Sequence, residues 1–143
     1  MQKLPVSNFK WVENGLSEKD ILTYDETGDI GYFVEVDAHI PDEHHDYLND
    51  MPPFPESLLI DETMASSTSR SIREKSSAKN DKYSTVKLAP NLLPKKKYIC
   101  HISALQFYLK QGAVLDEVHR VLEFKQVQYI FILSLFIFYN KIQ

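Results

Sequence analysis

Two sets of side chains in this sequence could do chemistry. Glu35 and Asp37 alternate along residues 30–40 and would share one side of a strand, about 7 Å apart, a spacing at which two carboxylates can hold a divalent ion. Acids at every second position are equally what the wet face of an antiparallel strand shows, and that reading is preferred. His39, His44, His45, Asp46 and Asp50 are dense enough to raise the question of zinc. Their spacing argues against it, because adjacent histidines cannot easily turn both rings to one ion. Cys100 is the sole cysteine, and Met51-Pro52-Pro53-Phe54-Pro55 forces an extended path. The expected result is a surface loop carrying two histidines. No Gly-rich phosphate loop, nucleophile elbow or complete zinc set stands in for these groups.

The elements that must position these residues are marked unevenly. Over 30–40, Tyr32, Val34, Val36, Ala38 and Ile40 point one way while Phe33, Glu35, Asp37 and His39 point the other, which predicts a strand. Before it, Ser17 stands as an N-cap ahead of acids, predicting a brief helix over 16–22, and residues 25–29 form a turn. The opening residues read as an extended segment with Phe9 and Trp11 on one side. The best-defined unit is 98–124. Tyr98, Ile99 and Cys100 suit a buried strand end, Ser103 stands as N-cap with Gln106 returning the bond, and Ile102 and Phe107 have staple spacing. Leu105, Tyr108 and Leu109 share a helical face, and Gly112 suits the left-handed C′ position. Beyond it, Val114, Val118, Val121 and Leu122 have helical spacing, while Val118, Leu122 and Phe124 also fit a period of two. Periodicity alone slightly favours helix there.

With 143 residues, 43% of them hydrophobic, the chain suffices for one domain with a core, and nothing demands a second. One cysteine and no basic-then-apolar leader make a reducing intracellular compartment the expectation, with Cys100 a small buried residue. The net charge of -4 hides a division: residues 1–63 hold 3 lysines against 15 acids, and residues 70–97 hold 9 lysines and arginines against 2 acids. Such blocks arise from a solvated face plus a loop, and they also suit a protein that meets phosphate on one side. Residues 61–82 are poor in large apolar side chains and read as a mobile loop. Arg70, Arg73, Lys75, Lys79 and Lys82 could touch phosphates there, but lack interleaved aromatics. The apolar run 127–139 is too short for a standard spanning helix, which needs about 20 residues, so a membrane role is not the main expectation and a tail-anchored segment is the minor alternative. It is an aggregation hazard unless buried.

The order Tyr98, His101, Leu105, Tyr108, Leu109, Gly112, then Val118-His119-Arg120-Val121-Leu122-Glu123-Phe124, resembles a segment of the protein-primed family B DNA polymerases of viruses, organellar plasmids and self-replicating DNA transposons. A second block, His45-Asp46, Asn49-Asp50, Pro52 and Pro55-Glu56, matches the same family, and Gly31-Tyr32, Glu35, Val36 and Asp37 match in kind. The match fails after Phe124 and is poor over 61–82. In the family the helix is followed by a strand, so the resemblance implies a strand over 118–124 against the local periodicity.

The fold class implied is α+β: a partial palm and insertion region of short antiparallel strands, one or two short helices and a long mobile loop. Its parts would be a palm-proximal strand and Pro-rich loop (1–60), a Ser/Lys-rich loop (61–85), a strand-helix-strand unit (86–126) and an apolar tail outside the family pattern (127–143). The resemblance places the chain between the first palm motif and the fingers motif of a longer parent. The catalytic aspartates and fingers lysine are then missing, and the chain alone is expected to be inactive and to carry no cofactor, with Mg belonging to the full-length family. DNA and a priming terminal protein are the implied partners, and no small-molecule site is expected. Lys95, Lys96, Lys97, His119 and Arg120 are the implied candidates for DNA contact. On general grounds the lysines would mark a solvated turn and Arg120 would pair with Glu123 or Glu117. The other reading is a small domesticated interaction protein that binds DNA or a protein partner.

Overall fold

A computed structural model describes residues 3–60, 62–75 and 85–127. In chain order the elements are β1 (Leu4–Trp11), α1 (Glu18–Leu22), β2 (Ile30–His39), α2 (His45–Leu48), β3 (Glu56–Ile60), α3 (Ser67–Lys75), β4 (Thr85–Ala89), β5 (Lys95–His101), α4 (Ile102–Lys110) and β6 (Val114–Val127). The class is α+β with antiparallel strands, as expected.

The chain divides into two units, Met1–Asp42 with Pro94–Gln143, and Glu43–Leu93. These borders differ from the four consecutive parts read from the sequence. Composition shifts follow the chain, whereas strand pairing returns β5 and β6 to β2 after the second unit has been completed.

The first unit is built on a four-stranded sheet in the order β1-β6-β2-β5. Alternation puts Val34, Val36 and Ala38 on one side of β2, and all three are fully buried, with Ile21, Ile102, Leu105, Val121 and Phe124 completing the core. Helix α4 lies against β2, β5 and α1. Helix α1 begins as the sequence predicts: Ser17 Oγ accepts the Asp20 N–H, and the Asp20 carboxylate accepts the Ser17 N–H at 2.9 Å.

Helix α4 starts differently from the expectation. Its N-cap is His101, still in extended conformation, whose Nδ1 accepts the Ser103 N–H at 3.2 Å; Ser103 is not the cap. Gln106 therefore has no cap to serve, and its Nε2 donates instead to the carbonyls of Leu22 and Tyr24 at 2.9 and 3.0 Å, tying α4 to the end of α1. Gly112 does occupy the left-handed position after the helix, with φ 102°. Ile99, expected to be buried, is exposed on the edge strand β5, while Cys100, also expected to be buried, is half-buried, and desolvation pushes its thiol up to about 12.

Strand β6 (Val114–Val127) includes 118–124, where the family pattern implied a strand, against the local periodicity. The reason lies in the register. Leu115, Val118 and Val121 pair with Ala38, Val36 and Val34, so these three face the same way although spaced three apart. Two bulges on β6, leaving Asp116 and His119 without a partner across the ladder, insert the extra residues that mimic helical spacing.

In the second unit β3 pairs with β4, and the Asn91 amide donates to Glu56 Oε1 at 3.1 Å. The expectation of a surface loop over 42–56 is corrected at its start: Asp42–His44 is a 3₁₀ turn leading into α2. Likewise 67–75 is helix, started by Ser66, whose Oγ accepts the Ser69 N–H at 3.1 Å. Residues 76–84 and the apolar tail from 128 lie outside the described residues. Among the described residues no helix is long and apolar enough to cross a membrane.

Candidate nucleic-acid interface

The side of β2 that carries Phe33, Glu35, Asp37 and His39 is where the polar residues of the first unit converge. Strand β2 itself is regular, and its neighbours bulge around it. On β5, Lys96 and Lys97 together oppose Asp37, since Val36 pairs with Tyr98 and Ala38 with Lys95. Lys97 takes a left-handed φ of 51°, which aims its backbone N–H at Asp37 Oδ1, 2.7 Å away. On β6 the extra residues His119 and Asp116 reach back to β2: His119 Nε2 lies 2.8 Å from Asp37 Oδ1, and His39 Nδ1 lies 2.9 Å from Asp116 Oδ1. Bulges commonly re-aim a side chain in this way.

Asp37 is the hub. Its Oδ2 accepts from Lys96 Nζ at 2.8 Å, and Oδ1 accepts the Lys97 N–H and the His119 ring. Lys96, then the Lys97 N–H, then His119 hold its carboxyl far below the usual carboxylate range. An ionised carboxylate only accepts, so the proton between the two side chains sits on His119 Nε2. Glu35 pairs with Arg120, rather than Arg120 pairing with Glu123 or Glu117, and that guanidinium holds the Glu35 carboxyl below its ordinary value. The Arg120 guanidinium also lies over the Trp11 ring, 5.5 Å from its centroid.

The implied DNA-contact residues separate into two groups. Lys96, Lys97 and Arg120 are exposed and His119 is partly exposed, and all four belong to this one face. Lys95 is buried and does not join them. The sequence position of Trp11 does not single it out, because it lies far from the basic stretch and meets the cations only across strands. The one available signal was its place beside Phe9 on one side of the opening strand.

Two sets of acids bear on metal binding. Both Asp37 oxygens and the Glu35 carboxylate are engaged by N–H donors, so these two do not fit a paired-carboxylate Mg site. Asp37, Glu117 and His119 do offer ligand atoms within 4.8 Å of one another, a donor set whose Asp37 member an ion could join only by displacing Lys96 or His119. His39 pairs with Asp116, and His44 Nε2 lies 3.8 Å from Glu43.

The lowered proton affinity of the Asp37 carboxyl makes a pH prediction. A carboxyl whose folded-state affinity for protons is below that of the unfolded chain stabilises the fold above the unfolded value, about pH 4, and that contribution is lost as the pH falls. Urea midpoints should drop as the pH is lowered from about 5 towards 2, and Asp37→Asn should flatten that part of the curve while lowering stability at neutral pH. An unchanged acid slope in the variant contradicts the ion-pair assignment.

No protein-family model, no curated protein and no solved structure matches this chain.

Proposed function

We propose that the chain is the segment of a protein-primed family B DNA polymerase that lies between the first palm motif and the fingers, and that it helps to position DNA and the priming protein without transferring nucleotides itself. The observation that carries this reading is the sheet order. Strand β2, which bears the family-like Gly31-Tyr32 and Glu35-Val36-Asp37, lies between β5 and β6, so this stretch and the 98–124 block build one sheet with α4 against it, while the His45–Glu56 block belongs to the second unit. The charge arrangement agrees with a positional role. Glu35 and Asp37 serve as anchors for Arg120, Lys96 and His119, and the cations they hold are directed to the surface where a phosphate backbone can reach them.

A second reading, a small interaction protein, draws on the second unit. Leu59 and Val86 pair across the β3-β4 ladder, Leu88 is two residues along, and all three are exposed on one face, as a protein partner would require.

The test is direct. Purified chain given a primer–template junction should retain it in an anisotropy titration, yet extend no primer when Mg and nucleotides are added. Extension abolished by Glu35→Gln or Asp37→Asn would overturn the positional role, and failure to retain DNA would overturn the nucleic-acid reading in favour of the protein-partner one.

A further inference from the structure

Two ion pairs on the open side of the sheet share one orientation. In Glu35–Arg120 the acid is 11% exposed and the guanidinium side chain 61%; in Asp37–Lys96 the acid is 10% exposed and the lysine 72%. The negative partner lies beneath in both, so over Glu35 and Asp37 the outer layer that solvent meets is cationic, whereas in His119–Glu117 the acid is the outer partner. Lys97 adds a third exposed cation, close enough for its charge to help hold Glu35 ionised. Trp11 completes the layer: it is 62% exposed, pairs in register with Leu122, and has the Arg120 guanidinium over its ring, 5.5 Å from the centroid. An exposed indole costs free energy in water and offers a ring on which a base can stack. From Trp11 on β1 to Lys96 and Lys97 on β5 the track crosses three strand spacings, about 15 Å. It is bounded towards the Val114 end of β6 by Asp116 and Glu117, whose exposed carboxylates would repel phosphate.

We infer that this face binds single-stranded DNA, with one base stacked on Trp11 and the adjoining phosphates met by Arg120, Lys97 and Lys96. Aromatic platforms interleaved with cations favour unpaired over paired strands, because a duplex buries its base faces and leaves nothing to stack. The inference rests on the nucleic-acid reading above and narrows it to the unpaired part of a junction.

Trp11 is the single tryptophan in the chain, so its fluorescence reports this site alone. Titrating the full chain with a fifteen-nucleotide oligothymidylate should quench that fluorescence, and anisotropy should show the single strand bound at least tenfold more tightly than a blunt duplex of equal length. With three phosphates neutralised, raising salt from about 50 to 200 mM should weaken single-strand binding roughly twentyfold. Trp11→Ala should weaken it about tenfold, and Trp11→Phe should retain most of the affinity. Trp11 is exposed, so the alanine variant should keep the parent circular dichroism spectrum; should it not, the quenching and the phenylalanine variant decide. Equal affinity for duplex, with no quenching and no effect at Trp11, overturns the single-strand inference and leaves the nucleic-acid reading standing. Absence of binding to either form overturns both.

Discussion

Phe124→Ala should lower the free energy of unfolding by about 3–5 kcal/mol, the usual cost of removing a buried aromatic side chain. Phe124 is fully buried near the end of β6, and its ring lies 4.9 Å from Phe33, 5.8 Å from His101 and 5.9 Å from Phe9, centroid to centroid. Three strands besides its own therefore lose contacts when it is cut back, and the cavity cannot collapse without moving β1 or β2. Small domains are stable by only about 5–15 kcal/mol, so the variant should be largely unfolded at modest urea concentrations. Phe124→Leu should cost less, since it keeps part of the volume. A urea midpoint for the alanine variant close to that of the parent would show that β6 does not lie at the centre of the core.

Gly31→Ala should destabilise by about 1–3 kcal/mol through overpacking. Gly31 pairs across the ladder with Phe124, and an added methyl would press on the Cε2 edge of that ring, with Phe124 Cζ at 2.7 Å and Gln126 Oε1 at 2.6 Å. Neither neighbour can retreat cheaply. The ring is enclosed, and Gln126 is held by its Nε2 donating to Tyr24 Oη and to the Gly28 carbonyl, each at 3.0 Å. The two sites should therefore be coupled: Phe124→Leu in the Gly31→Ala background should cost less than the sum of the single changes, with a coupling of about 0.5–3 kcal/mol. Strict additivity in a double-mutant cycle would rule out the contact.

How much of this was legible in the residues differs from element to element. Strand β2 was plain, because an uninterrupted alternation from Tyr32 to Ile40 needs nothing beyond the chain itself. Helix α1 was equally plain, since Ser17 and Asp20 form a local reciprocal cap. Strand β6 was not. Its bulges at Asp116 and His119 place Leu115, Val118 and Val121 on one face at a spacing that imitates a helix, and only the partner strands reveal them. The start of α4 was misread for a related reason: Ser103 has the cap chemistry, but pairing of β5 with β2 holds His101 in extended conformation and sets the helix start after it.

The candidate site shows the same boundary. That Glu35 and Asp37 share a polar face follows from period two. Their partners Arg120, Lys96 and His119 lie far away in sequence and are brought in by register, so no spacing rule could assign them. Lys95, Lys96 and Lys97 look alike as a run of three, yet the bulge on β5 buries the first and presents the other two. Trp11 enters only because β1 pairs with the outer edge of β6. These are long-range consequences of the sheet, and they turn scattered charges into one surface.

The measurement that bears most directly on the account is a map of the DNA footprint. Backbone amide spectra of isotope-labelled chain should be recorded while a primer–template junction with an unpaired overhang is added. The account predicts shifts concentrated at Trp11, Lys96, Lys97, His119 and Arg120, with Thr85–Ala89 of β4 unmoved. Shifts confined to the second unit, or none at any of those five residues at saturating DNA, would contradict it.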